Sequence, residues 1–291
     1  MRLISLFVGC AILFVSCTAN ADENMQELDL KSQLIGIENA NNARQLGGYR
    51  IGNKSIREDV LIRSGKLSGL SGEDSTLLAS KFKVQCIYDF RGGDEFVSDP
   101  DVVPSGARYL PLSISFSGGN GKESMNLESQ EAIIGMLLEN AEHPAIQKMC
   151  DNLYDIIFFE ESSQEVYRKF FADLVAVDPD DGAVLWHCTQ GKDRAGCASA
   201  MLLAALGADR SLIMADYNLS REFYAPIVAR IPVQTEAQSV VINTLIGANP
   251  VIFERALDKI DAIYGSFANY LKECIGVTGQ MMDTLRENYM K

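Results

Sequence analysis

This 291-residue sequence predicts an α/β fold, a short and mostly parallel sheet covered by helices, followed by a helical C-terminal part. Three observations carry that expectation. Short β-rich runs alternate with segments of helical spacing, as in strands joined by helical crossovers. One run, Val184-Leu185-Trp186, is apolar without alternation, as a strand covered on both faces requires. From residue 209 onward the chain reads as helices, broken near Pro232 and Pro250.

The N-terminus reads as an export signal. Arg2 is a thin basic region and Leu3 to Val15 is almost unbroken apolar sequence, too short for the roughly 20 residues that span a bilayer. Two exits compete. Ala19-Asn20-Ala21 is a small-x-small cleavage site, whereas Phe14-Val15-Ser16-Cys17 resembles a lipobox that would leave Cys17 lipidated. The second is preferred, so residues 1–21 are a signal peptide or lipoprotein signal. An exported protein follows, a periplasmic or cell-envelope lipoprotein or alternatively a secreted one. Residues 22–36, polar and acidic, are expected to be a tether. Residues 37–291 carry no linker and no repeat and are read as one domain.

Within it, Asn41 to Tyr49 is a Gly-rich turn leading to a short strand, and Val60 to Arg63 is a strand ending at Ser64-Gly65. Ser71 is placed to cap a helix over 72–82, with Glu73 and Asp74 in its first turn. Val84 to Phe90 and Ala107 to Leu112 are strands, and 113–130 is a long Ser/Gly/Asn-rich loop. Helical spacing covers 130–177. An Ala- and Leu-rich helix over 194–206 stops at Gly207.

Charge narrows the function. There are 26 basic and 39 acidic side chains, a net −13, which repels nucleic acid at long range. Five cysteines remain beyond the signal (86, 150, 188, 197 and 274), an odd number at irregular spacing, so no disulfide framework is expected. With only His143 and His187 present, a His-rich metal site is excluded.

The informative stretch is His187-Cys188-Thr189-Gln190-Gly191-Lys192-Asp193-Arg194-Ala195-Gly196. It lies between an apolar strand and a helix, where amide N–H groups and the helix dipole favour an anion. A tight loop after Cys188 can aim the amides of Thr189, Gln190, Gly191 and Lys192 at phosphate oxygens, a backbone nest. Gly191 supplies the positive φ such a ring needs. Arg194, six residues after the cysteine, can return to the rim and grip two oxygens. The same positive surroundings favour a thiolate at Cys188, which attacks phosphorus and leaves a phosphocysteine for water to hydrolyse. Amides and guanidinium supply the charge stabilisation, so neither metal nor cofactor is expected.

On these residues the chain resembles the atypical bacterial tyrosine and lipid phosphatases, whose loop reads His-Cys-x-x-Gly-Lys-Asp-Arg-Thr-Gly. The likeness extends through Asn42-x-Arg44-x-Leu46-Gly47-Gly48, Leu61 to Ser64, Asp89-Phe90-Arg91 with Glu95, Ala215-Asp216-Tyr217, Tyr264-Gly265-Ser266 and Tyr270-Leu271. It implies a protein-tyrosine-phosphatase-like fold and activity on phosphorylated protein and phosphoinositide substrates. It also ties Lys192 and Asp193 to that breadth. There are three departures. Gln45 replaces an Asp in the first motif. Ala195 replaces the Thr after the loop arginine, so no hydroxyl there stabilises the leaving thiolate. No carboxylate stands in Pro111 to Ser115, where a general acid is expected, which leaves Asp193 as the nearest candidate, with Glu123 or Glu128 in the long loop behind it.

Other residues take supporting readings. His187 is expected to hydrogen-bond the loop, Arg44 and Arg63 to brace turns, Arg91 to pair with Glu95, and Trp186, Cys197 and the Met281-Met282 pair to pack. Two rival functions follow from the same residues: a phospholigand-binding pseudophosphatase, motivated by Ala195 and the missing acid, and an inositol polyphosphate phosphatase.

Overall fold

The computed structural model describes residues 26–115 and 130–291. The signal readings and both loop glutamates, Glu123 and Glu128, lie outside the described residues. The strands are β1 (Arg44–Gln45), β2 (Arg50–Ile51), β3 (Lys54–Ser55), β4 (Leu61–Ser64), β5 (Cys86–Asp89), β6 (Arg108–Pro111) and β7 (Val184–His187). Five of them form one sheet in the order β1-β4-β7-β5-β6, while β2 and β3 make a small hairpin. β1 is antiparallel to β4, and the other pairings in the large sheet are parallel. The last strand in sequence is thus the middle one. Its C-terminal end opens between those of β4 and β5, in the crevice where open parallel sheets place ligands.

The helices are α1 (Leu30–Gln33), α2 (Gly72–Ser80), α3 (Gly93–Ser98), α4 (Gln130–Glu139), α5 (Pro144–Asp151), α6 (Leu153–Phe159), α7 (Glu161–Ala176), α8 (Arg194–Leu206), α9 (Arg210–Val228), α10 (Glu236–Leu245), α11 (Pro250–Tyr264), α12 (Phe267–Glu273) and α13 (Gly279–Tyr289). The α/β class is therefore as expected. Strand periodicity sorts the two layers. Leu61, Tyr88, Val184 and Trp186 face the large helical core, whereas Ile62, Ile87 and Leu185 face a smaller one closed by α2. Both faces are buried, which is why β7 shows no polar alternation.

Local chemistry sets the ends. The Ser71 side chain accepts from Asp74 N at 3.0 Å while the Asp74 carboxylate accepts from Ser71 N at 3.1 Å, a capping box that fixes α2. Gly207 stops α8 in the left-handed region at φ 98°. Pro250 opens α11 with Asn249 as its cap. The further breaks after Tyr264 and Glu273 have no proline to announce them.

Residues 26–36 correct the tether reading. Gln26 accepts from Arg50 N at 2.6 Å, α1 buries Leu30 in the large core, and Ile35 is buried in the smaller one. Two apolar side chains at the right spacing outweigh a polar average.

Candidate active site

The loop after β7 is a ring held from outside. The Thr189 carbonyl accepts from Lys66 N at 3.1 Å, Gln190 O from the Tyr224 hydroxyl at 2.7 Å, and Gly191 O from Arg63 Nη2 at 2.7 Å and Asn42 Nδ2 at 3.1 Å. Beyond the ring, Asp193 O accepts from Cys197 N at 2.7 Å, Arg194 O from the Tyr167 hydroxyl at 2.9 Å and Ala195 O from the Trp186 indole at 3.1 Å. In a trans peptide the N–H points opposite to its carbonyl. Carbonyls tied to the body therefore turn the amides of Gln190, Gly191 and Lys192 the other way, towards the cavity that Cys188 lines. Gly191 makes the ring possible. Its φ is 68°, and a Cβ there would lie 2.4 Å from Ser64 backbone atoms.

Arg194 opens α8 and reaches back over the ring. Nη1 donates to Glu95 Oε2 at 2.6 Å and to Ile114 O at 3.1 Å. Nη2 donates to Glu95 Oε1 at 3.0 Å and to the Thr189 hydroxyl at 2.9 Å. The Thr189 hydroxyl also donates to Glu95. Burial works against a charged Glu95, but hydrogen bonding and charge from Arg194, with Thr189 and Gly92 N–H, hold its carboxyl below the ordinary range. This corrects the expected Arg91–Glu95 pair. Glu95 caps α3 through Gly92 N at 2.7 Å and from there faces the loop, while Arg91 forks onto Asp89 and reaches Asp101 at 2.8 Å.

Lys192 and Asp193 face one another. The Lys192 ammonium donates to Asp193 Oδ2 at 2.7 Å and to Thr244 O at 2.8 Å, and the Tyr154 hydroxyl donates to Asp193 Oδ1 at 2.8 Å. Lys192 is thus a strut from the loop to α10. Tyr154 touches the Tyr217 hydroxyl at 2.7 Å, and Tyr217 stacks on Phe253 with centroids 4.1 Å apart. Behind the ring, His187 Nδ1 lies 3.4 Å from Cys188 O and Nε2 lies 3.1 Å from Asp101 Oδ2. Candidate metal-ligand atoms of Asp89, Asp101 and His187 lie within 4.8 Å of one another. The Arg91 guanidinium already sits 2.8 Å from both carboxylates, which makes this an arginine-braced cluster.

On the other flank, Arg44 and Arg63 converge on Asp216, at 3.2 Å and 2.5 Å, with all three buried. Burial raises the Asp216 carboxyl, but the charges of Arg63 and Arg44 outweigh it and the net displacement is downward. Above the ring, a cavity of about 410 Å³ is lined by Cys188, Gln190, Lys192, Asp193, Arg194 and Glu95 at its base and by Met149, Leu153, Ile156 and Leu245 on its wall. Glu95, Tyr154 and Tyr224 are absent from the expected set. Only Glu95 left a trace in the sequence, in the block it shares with Arg91. The five described cysteines are all free thiols, and Cys197 is buried as expected.

Comparison with known proteins gives this arrangement its relatives. The model of the tyrosine phosphatase family matches residues 35–291. A protein of Cupriavidus necator that carries the name tyrosine-protein phosphatase is 26% identical over 250 residues, 84% of each chain. A tyrosine-protein phosphatase of Nostoc commune is 28% identical over 169 residues, 58% of this chain and 51% of its own. The triple specificity protein phosphatase PtpB of Mycobacterium tuberculosis is 31% identical over 117 residues, 35% and 42% of the two chains. Among solved structures, the core catalytic domain of the PP-IP phosphatase SIW14 from S. cerevisiae covers 78% of this chain and 97% of that one at 15% identity. Its TM-score is 0.28, too slight a likeness to bear on fold or substrate. With nearly its whole described length matched, the chain belongs to the tyrosine phosphatase family, cysteine-based hydrolases of phosphoric monoesters.

Proposed function

We propose that the substrate is a phosphotyrosine-type aryl phosphate, taken from protein, with Cys188 as nucleophile and Arg194 as phosphate ligand. One observation carries the substrate reading. The ring offers amides for a single phosphate, the wall above it is apolar, and the two cations that line the cavity, Lys192 and Arg194, already face Asp193 and Glu95. A polyphosphorylated inositol needs further cations for its further phosphates. An aromatic ring needs only the wall.

In the reaction, the Cys188 thiolate attacks phosphorus and the S–P bond forms as the P–O bond to the phenol breaks. The amides of the ring and Arg194 take up the charge on the equatorial oxygens. Asp193 gives its proton to the departing oxygen; water then attacks phosphorus and returns a proton to Asp193 as the S–P bond breaks, restoring the Cys188 thiolate and releasing phosphate. Glu95, whose carboxyl is depressed, stays an acceptor and orients Arg194. Both Asp193 oxygens accept at rest, so its protonation requires Lys192 to lean on its other acceptor, Thr244 O.

Phosphate release tests this directly. Cys188→Ser is expected to lose about 10³-fold or more in kcat/KM on p-nitrophenyl phosphate and on a phosphotyrosine peptide. Asp193→Asn is expected to lose much more on the peptide, whose tyrosine leaving group has a pKa of about 10 and needs the proton. Equal losses on both would leave Asp193 only as a partner for Lys192. Preferential turnover of phosphoinositides in vesicles would overturn the aryl reading. Wild-type protein that binds phosphate analogues without turnover would make it a pseudophosphatase.

Ala195 is fully buried in the first turn of α8 and offers no hydroxyl. Breakdown of the phosphocysteine is expected to limit turnover, with a burst that Ala195→Thr shortens several-fold, and unchanged burst kinetics would refute this. The export signal, with a lipid on Cys17, puts the reaction in the cell envelope, and intact mass of the mature protein distinguishes that from cleavage after Ala21.

A further inference from the structure

From the ring to its β4 flank, cations outnumber carboxylates. Among the described residues, Arg194 faces Glu95, Lys192 faces Asp193 and Arg44 faces Asp216, each cation matched by one carboxylate. Arg63 is one cation more, and its acidic partner is the Asp216 that Arg44 already holds. Both guanidiniums are completely buried. Tyr49, which donates to the same carboxylate at 3.0 Å, is kept neutral because burial and the Asp216 charge push its phenol up. On this flank one positive charge is therefore left over from the carboxylates, to face the Cys188 thiolate and an incoming anion, in a chain whose net charge is −13.

Leaving a buried charge without its full complement of counter-charge is costly, and folds normally avoid it. The position of Arg63 says what offsets it. Nη2 donates to Gly191 O at 2.7 Å and to Lys192 O at 3.4 Å, so the guanidinium pulls on the two peptide groups whose flip turns the Lys192 and Asp193 amides towards the cavity. The same nitrogen lies 3.0 Å from where a Cβ on Gly196 would stand, so the side chain passes under the first turn of α8. A side chain at 196 would press on the guanidinium there.

We propose that Arg63 is a positioning residue of the phosphate ring, whose surplus buried charge and hold on the Gly191 and Lys192 carbonyls make the ring bind a dianion. The inference rests on the loop being the phosphate site and extends it to a residue that never touches substrate. Removing Arg63 leaves Arg44 and Asp216 as a balanced pair, so the fold is expected to survive the change. Arg63 thus serves the ligand more than the fold.

The test uses the full mature chain, with tungstate as the dianion, titrated by calorimetry alongside thermal melts and kcat and KM on p-nitrophenyl phosphate. Arg63→Met is expected to melt within a few degrees of wild type without ligand, to bind tungstate about 100-fold more weakly, and to lose kcat more than it raises KM. Arg63→Lys, which keeps charge but not the fork, is expected to recover tungstate affinity to within about tenfold while kcat stays low. Wild-type affinity and kcat in Arg63→Met would overturn the proposal. So would affinity that falls only in step with a collapsing melting temperature. Should the Met variant fail to fold, a natively melting Arg63→Lys that has lost tungstate affinity as completely as it loses kcat overturns the role of charge. A wild type that binds tungstate without turnover counts against the catalytic reading and leaves this one standing. A wild type that binds none overturns both.

Discussion

Two buried ionic clusters flank the C-terminal edge of the sheet, and their compositions are opposite. On the β5 side one guanidinium, Arg91, serves two carboxylates, Asp89 and Asp101, with the His187 imidazole beside them. On the β4 side two guanidiniums, Arg44 and Arg63, serve one carboxylate, Asp216. Both are shut off from water, so neither composition is a solvated accident. The acidic surplus braces the turn after β5 and the Asp101 loop, binding Leu67 N as well. The basic surplus lies under the ring. A fold can bury charge to hold backbone together, or to prepare a field for something that arrives later, and this one does both within a few residues of Cys188.

Substitution of the single carboxylate should separate the clusters most sharply. Asp216→Asn leaves two buried guanidiniums with no counter-charge and is expected to cost about 3–5 kcal/mol, read from the denaturant midpoint. Asp101→Asn leaves Arg91 on its fork to Asp89 and should cost about 1–2 kcal/mol. Equal costs would mean that the two clusters are ordinary braces of the same kind. The acid limb sharpens the contrast. Asp216 titrates below its unfolded value of about 3.9, so its contribution is complete above that pH and disappears as pH falls through the lower folded value. Stability is therefore expected to drop steeply below about pH 4, and Asp216→Asn should flatten that slope. The exposed pair Arg255–Asp151, at 2.8 Å, is the control. Arg255→Ala should change stability by no more than about 1 kcal/mol, because solvent screens the pair.

The parts legible in sequence are those that local rules decide. Ser71 and Asp74 announce α2 because capping needs two residues three apart. Gly191 announces its positive φ because the strand-loop-helix context demands a tight ring. In the sequence Glu95 reads as a bracing partner for its near neighbour Arg91. The partner it has, Arg194, lies 99 positions away, and no periodicity connects the two. Asp216 is legible only as part of a resemblance, since a carboxylate in a helix of mixed character looks solvated until β1 and β4 bring two arginines to it. Tyr224 and Tyr154 look like packing residues, and what distinguishes them is one hydroxyl each, aimed at Gln190 O and Asp193.

The donors that hold the carbonyls of the ring and of the first turn of α8 come from residues 42, 63, 66, 167, 186 and 224, which span most of the domain. No fragment or half-assembled chain contains the set. Competence to bind an anion is therefore the last property this protein acquires as it folds, and a newly made chain stays chemically silent until its distant segments have met.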